Sequence, residues 1–497
     1  MHRARQRPAL RTSTEAAIAR MDIRPPFFRK DAGPHNTPAS RSLSELWLNA
    51  GMPEQALEHV DLRGVDPVLP SSFAVGAAAQ ASVAAAALAA AEIGYLRRAG
   101  RQDVFVDMTH AALECRNHFL LDGRVVDSRD KLTGMYRCGD GGWVRIHANF
   151  AHHRDGALRL LGCAPGPQTQ RADVERALQR WGALEFEQAA AEAGLVVAAA
   201  RSFAHWDAME QARAVARQPL VAISRIGEAD PRPLGRIVAG NRPLAGLRVL
   251  DLTRILAGPV CGRTLAAYGA DVMLVNSPHL PNIEAIAETS RGKLSALADL
   301  DTSDGRIGLR NVLRSANVFI QGYRPGALAG LGFGPQEVAA MRPGIVYVSL
   351  SAYGGQGPWS HLRGFDSLVQ MACGLNVAEG EADGIDRPRP LPMQILDYAS
   401  GFLMAFGALA ALARQAVEGG SWHVEVSLAR TAHWLRSLGR VAGGLSHPEP
   451  SYDGFLETTH SGFGRLTAVR HAARFSRSPS DYVRMSVPPG THPLAWP

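Results

Sequence analysis

Cysteine is scarce in this sequence. Cys115, Cys138, Cys163, Cys261 and Cys373 are scattered, odd in number and never spaced as CxxC. That excludes a disulfide framework and a zinc cage of ordinary spacing, so no metal is expected, and it fits a reducing, cytoplasmic compartment. Two nucleotide signatures are missing as well. No GxGxxG follows the run "VLDL" (249–252), which demotes a nicotinamide or flavin oxidoreductase, and no GxxxxGK[ST] loop is present for a nucleoside triphosphate. The alanine-rich stretch from Ala77 to Ala91 is broken by Gln80 and Ser82 and falls short of the roughly 20 strongly apolar residues of a membrane span. No membrane partner is expected. Acidic residues are few at the start, where eight Lys and Arg side chains within residues 1–30 face only Glu15 and Asp22. The formal charge of +7 is therefore concentrated there, and a nucleic-acid footprint over a domain face is not expected. This start reads as a disordered basic leader; Pro8, Pro25 and Pro26 argue against a transit peptide, and Met21 offers an alternative start.

What is present is the composition of a globular protein, with 46% hydrophobic and 20% charged residues, 50 Gly and 31 Pro. A length of 497 residues predicts roughly two to four domains. From residue 241 to 440, short β-branched runs alternate with helical stretches. The strands are predicted at "LRVLDL" (247–252), "DVMLV" (271–275), "NVFIQGY" (317–323) and "IVYVSL" (345–350), and helices lie between them at 304–316 and 334–342. This alternation predicts a mostly parallel, doubly wound sheet that binds ligands beyond the carboxyl ends of its strands. A long apolar helix follows at 397–416, then the alternating strand "WHVEVSL" (422–428). An alanine-rich helix around 74–95, Gly100 and the strand "DVFVDM" (103–108) repeat these events. At an offset of 320, Gly100 falls on Gly420, Val104 on Val424, Val106 on Val426 and Met108 on Leu428, which predicts a degenerate internal repeat.

The motifs then resemble those of a known family. In order, the chain reads "PLAGLRVLDLTRILAGPVCGRTLAAYGADVMLV" (243–275), "RGKLSALADLDTSDGR" (291–306), "ANVFIQGYRPGALAGLGFGPQEV" (316–338), "RPGIVYVSLSAYGGQGPW" (342–359) and "GFDSLVQMACG" (364–374). This series resembles the family III CoA-transferases, the group of formyl-CoA transferase and L-carnitine CoA-transferase. The resemblance implies a Rossmann-like large domain with a second, smaller α+β domain. It further implies coenzyme A bound as acyl-CoA substrate rather than as a permanent cofactor, a free carboxylic acid as second substrate, and a homodimer or an intrachain pseudo-dimer. The expected organisation is a basic leader at 1–40, a degenerate partial copy of the large domain at 41–125 and a small domain at 126–227. A linker at 228–244, the catalytic large domain at 245–440 and a C-terminal extension at 441–497 that returns to it complete the chain.

In that family the nucleophile is an aspartate at the start of the long helix before a "VxVSL" strand, a place held here by Asp397. A carboxylate that attacks a thioester gives an acyl-aspartyl anhydride, from which CoA thiolate forms an aspartyl thioester. A helix N-terminus is expected to keep the carboxylate ionised and to supply N–H donors; Asp is also a favoured N-cap, and the two roles are compatible. The resemblance assigns CoA binding to Arg254, Ile255, Leu256 and Ala257, to Asp299 and Leu300, to Gly322, Tyr323 and Arg324, and to Arg363. Asn276 and Ser277 stand where relatives commonly have Glu and a basic residue, and Gly330 where a further Arg occurs. The family's α-methylacyl-CoA racemases use a histidine beside the "GxD" motif; Phe365 holds that place, which makes racemisation the weaker alternative. A non-catalytic CoA-binding scaffold is another alternative. It draws support from the first copy, where Ala77 falls opposite Asp397 and no Asp or Glu occurs from residue 67 to 91. His147, His152 and His153 match no metal spacing and read as surface or packing residues.

Overall fold

The computed structural model describes residues 36–126 and 129–497. Most of the expected leader lies outside the described residues. Its last residues do not: helix α1 (Pro38–Asn49) opens there, with the Thr37 hydroxyl accepting the Ser40 N–H at 3.1 Å. Strand β1 (Val60–Arg63) leads to α2 (Val75–Leu96), in which every residue from Val75 to Gly94 is buried. A helix that is apolar all round belongs inside a protein. α2 lies where the sequence predicts a helix, around 74–95; at 22 residues it is long and apolar enough to cross a membrane, yet its apolar stretch is wholly covered by the rest of the chain. Strand β2 (Val104–Asp107) then pairs in parallel with β1.

A small unit follows. Strands β3 (Gly134–Arg137), β4 (Trp143–Ile146) and β5 (Val197–Ala199) form an antiparallel sheet, and helix α3 (Ala151–Leu160) starts a short turn after β4. Tyr136, Leu178 and Phe186 centre a core of its own. Strand β6 (Ala222–Gly227), inside the range expected for this unit, leaves it and joins the edge of the large sheet.

The large sheet is built from β7 (Arg248–Leu252), β8 (Asp271–Asn276), β9 (Lys293–Leu297), β10 (Val318–Gln321), β11 (Val346–Ser351) and β12 (Ser421–Ser427), in the spatial order β9-β8-β7-β10-β11-β12-β6. All pairs are parallel except β12 with β6. Strand β9, unread in the sequence, runs through "KLSAL", too short and too mixed to stand out by pattern. Successive residues point to opposite faces, so Val249 and Leu250 enter different cores. One core contains α4 (Ala257–Ala267), the other α5 (Ser303–Leu313) and α6 (Pro335–Met341). With both faces covered, the strands read as near-continuous apolar runs.

Helix α7 (Asp366–Ala372) precedes α8 (Ile395–Glu418), and α9 (Leu428–Ser437) follows β12. α8 lies along α2 and α4, and its apolar window is likewise fully buried. Gly401 permits the approach to α4: a Cβ there would sit 2.5 Å from the Ala257 carbonyl oxygen. Strand β13 (Ala473–Phe475) pairs antiparallel with β2, and Trp496 donates its indole N–H to the Val312 carbonyl at 2.9 Å, so the C-terminal stretch touches both halves.

Candidate active site

The site begins with a buried ion pair. Asp251, near the end of β7, accepts from Lys293 Nζ at 2.8 Å and from the Thr253 hydroxyl at 2.5 Å, while Lys293 also donates to the Pro259 carbonyl at 2.8 Å. Both charges are fully buried, and such burial is tolerable because each is paired and further hydrogen-bonded. The pair pins both ends of the loop leading into α4. Within that loop Ile255 has φ 77°, a left-handed conformation that costs a β-branched residue about 1–3 kcal/mol and is characteristic of functional loops.

The ten residues assigned to CoA and Asp397 line one cleft of about 650 Å³ at the carboxyl ends of the parallel strands. Arg254 lies with its guanidinium 5.7 Å from the Phe150 ring centroid and donates to the Pro281 carbonyl. Among the described residues, Arg254, Arg324 and Arg363 form no ion pair with a carboxylate. Burial lowers the pKa of Arg254 and of Arg363, and the charge of Arg324 lowers Arg363 further. Unpaired guanidinium groups beside a cleft form an anion site. Asp299 is already engaged by His279 Nε2 at 3.0 Å, which holds its carboxyl below the usual range.

Asp397 is not an N-cap. Helix α8 is capped at Gln394, and Asp397 is its third residue. The N-terminal amides serve a different carboxylate: Asp366, on α7, accepts the Asp397 N–H at 2.9 Å, the Leu396 N–H, and Gln370 Nε2 at 2.5 Å. The expectation that the helix N-terminus keeps Asp397 ionised is therefore corrected. Burial raises its pKa well above the carboxylate range, and the neighbouring Asp366 raises it further. Burial also pushes Asp366 up, to about 6, against the pull of its donors and of Arg145 from β4. Two carboxyls this close retain a proton between them. Of the two, Asp397 is raised further, because it lacks the donors that Asp366 has.

The cleft also takes in residues that the sequence reading set aside. Phe150, His152 and His153, from the turn into α3, form one wall, and Asn276 and Ser277 line another. His147 packs flat on Phe365, ring centroids 3.9 Å apart. That accords with its reading as a packing residue, and no group of three or more metal-ligating side chains occurs among the described residues. The role of Asp366 was hidden because a capping carboxylate 31 positions from its helix leaves no local pattern; the "GFD" motif was its only signal.

Residues 244–451 match the family model of CoA-transferase family III. This segment belongs to that family. The chain is 38% identical, over 205 residues, to an acetyl-coenzyme A transferase of Hypoxylon pulicicidum, covering 40% of this chain and 35% of the relative. An acyl-CoA transferase of Gibberella moniliformis is 31% identical over 324 residues, 62% of this chain and 57% of the relative. A crystal structure of a hypothetical protein from Mycobacterium tuberculosis is 29% identical, covering 47% of this chain and 64% of that one, with a TM-score of 0.37. The chain thus spans about a third to three fifths of the curated relatives it matches. Arg254, Arg324, Arg363 and Asp397 fall within the matched residues, whereas the cleft wall of Phe150, His152 and His153 lies outside them.

Proposed function

We propose that this chain is a CoA-transferase that moves coenzyme A between an acyl-CoA thioester and a free carboxylic acid through a covalent intermediate at Asp397. The observation that carries the reading is the meeting, in one cleft, of a reactive carboxyl and an arginine cluster without acidic partners. Relatives named as an acetyl-coenzyme A transferase and an acyl-CoA transferase support it.

The chemistry follows from the carboxyl. Ionised Asp397 attacks the thioester carbonyl and the C–S bond breaks, giving an acyl-aspartyl anhydride and CoA thiolate. The thiolate attacks the aspartyl carbonyl, which forms the aspartyl-CoA thioester and releases the first acid as its carboxylate. The second acid attacks that thioester, and the returning thiolate takes its acyl group and frees Asp397. Atoms and charges balance without an electron sink. Arg254, Arg324 and Arg363 suit the phosphates of CoA because the guanidinium fork binds them bidentately. Phe365, in place of a histidine, cannot hold an α-proton, so racemisation is the weaker reading.

The strand order, counted from β7, is 3-2-1-4-5-6, which supports a Rossmann-like reading of the large domain. At the offset of 320, Val75 and Met108, which open α2 and the helix after β2, fall on Ile395 and Leu428, which open α8 and α9. That supports an internal repeat and an intrachain pseudo-dimer, in which the first copy is scaffold. The test is a panel of CoA thioesters offered with free acids, with hydroxylamine trapping at neutral pH. Transfer with a trapped aspartyl group at Asp397 is the expected result. CoA binding without transfer or trapping would favour the non-catalytic scaffold.

A further inference from the structure

The small-domain wall of the cleft carries groups that the transfer chemistry has not used. Helix α3 is ten residues long, opens at Phe150 without a side-chain cap and has no acidic residue in its first turn. The N–H groups of His153 and Arg154 return to the Phe150 carbonyl at 3.0 and 2.9 Å, whereas those of Ala151 and His152 have no partner among the described residues. An uncapped helix N-terminus carries a partial positive charge and free donors. His153, in the same turn, is only 6% exposed, and neither of its ring nitrogens has a hydrogen-bond partner. Each buried polar group left unpaired costs about 1–3 kcal/mol. The ring forms part of the cleft wall. Burial, His152, Arg363 and Arg254 push its pKa down to about 4, so the imidazole is neutral and donates through one N–H.

Phe365 links this turn to the region of the nucleophile. Its ring lies 6.2 Å from that of His153, and the next residue is Asp366, which holds the Asp397 amide. An acid brought beside two carboxyls needs positive potential to stay there. We propose that the N-terminal turn of α3 is an oxyanion subsite of the cleft that takes a carboxylate of the exchanged acid, with the Ala151 and His152 amides and the His153 imidazole as donors. This rests on the transferase reading. The alternative source of an oxyanion is CoA itself, through its phosphates.

Two variants of the full chain separate these outcomes. Ala151→Pro removes one amide donor at the first helical position, where proline is favoured, and Phe150 already has the extended backbone that precedes proline. His153→Phe removes the imidazole and keeps an aromatic wall. With acetyl-CoA as donor and succinate as acceptor, each variant is expected to raise KM for succinate by about tenfold or more, the loss of one hydrogen bond to an ion, with kcat changed far less. Affinity for free CoA, by calorimetric titration, stays at the wild-type value. Unchanged KM for succinate in both variants overturns the subsite, and weakened CoA binding with unchanged KM shows that the turn holds a phosphate instead. If the wild type neither transfers nor forms an adduct at Asp397, the transferase reading fails. The subsite is then read from titration of succinate alone into wild type and both variants, and equal binding, or none to the wild type, overturns it.

Discussion

At the start of α2 the carboxylate of Asp66 accepts the N–H groups of Gly76 and Ala77 at 3.0 and 2.8 Å. At the start of α8 the carboxylate of Asp366 accepts those of Leu396 and Asp397. Each acid reaches the first turn of a long apolar helix from outside it, and burial raises the pKa of each against the pull of those amides. The third residue of α2 is Ala77, and that of α8 is Asp397. Capping by a distant carboxylate is therefore a structural device common to both helices, because buried amides must be paired wherever a helix starts inside a core. The second carboxyl distinguishes the two. It adds nothing to the cap and raises the cost of burial, which supports the proposed chemical role.

The largest effect is expected at that second carboxyl. Asp397→Ala makes the start of α8 resemble that of α2, and transfer should fall by about 10³-fold or more through loss of the nucleophile. CoA affinity should remain close to wild type, since the cationic loop is untouched. Turnover within tenfold of wild type would remove Asp397 from the mechanism.

Asp366→Asn sharpens the comparison from the other side. The amide oxygen still accepts a helix N–H, but the charge facing Asp397 is gone, with Arg145 the cation left opposite. Attack needs ionised Asp397, whose pKa is raised, so wild-type kcat/KM should climb with pH above the usual carboxylate range. In the variant that limb should move to lower pH, by about one unit. A limb that stays or moves upward contradicts the pairing.

Gly401→Ala tests the contact that seats α8 on the cleft. Its Cβ would meet the Ala257 carbonyl oxygen at 2.5 Å and Val260 Cβ at 2.8 Å, which displaces the start of α4. A cost of about 1–3 kcal/mol in stability and a higher KM for acyl-CoA are expected. Measured by thermal unfolding and initial rates, unchanged values in both would show that the loop yields freely.

The smallest effect concerns stability. Asp397 has a folded pKa above its unfolded value, so the folded state binds more protons there, and stability falls as pH rises from the unfolded value through the folded one. Asp397→Asn removes this penalty. Its Tm should exceed that of wild type at pH 8, on the order of 1 °C, and the gain should shrink toward pH 4. A gain that grows toward acid would reverse the assignment of the raised pKa.

How much of this was legible in the sequence depends on how local each cause is. Strands β7, β8, β10 and β11 announced themselves through β-branched runs ending at Gly, Asn or polar residues, and the CoA-binding assignments came from the family resemblance. Strand β9 and the edge strand β6 did not, because "KLSAL" and "AISRIG" are fixed by their neighbours in the sheet rather than by their own pattern. The state of Asp397 was misjudged for the same reason. A sequence shows a carboxylate near a helix start, but not the second carboxylate from a distant helix that takes the amides first. His153 likewise had no readable role, since its burial and its lack of partners arise only when the small domain meets the large one.

The most direct test of the account is a count of covalent adducts per chain, by intact mass with peptide mapping after acyl-CoA and hydroxylamine, in wild type, Asp397→Ala and Ala77→Asp. Ala77 is fully buried beside Asp66, so the last variant builds a second carboxyl pair at the wrong helix, where no loop like that after β7 orients a thioester. Positioning accounts for about 7–11 kcal/mol of such a barrier, and a misplaced nucleophile lacks it. The account predicts one adduct at Asp397 in wild type and in Ala77→Asp, and none in Asp397→Ala. An adduct that survives in Asp397→Ala, or a second one at position 77, would contradict it.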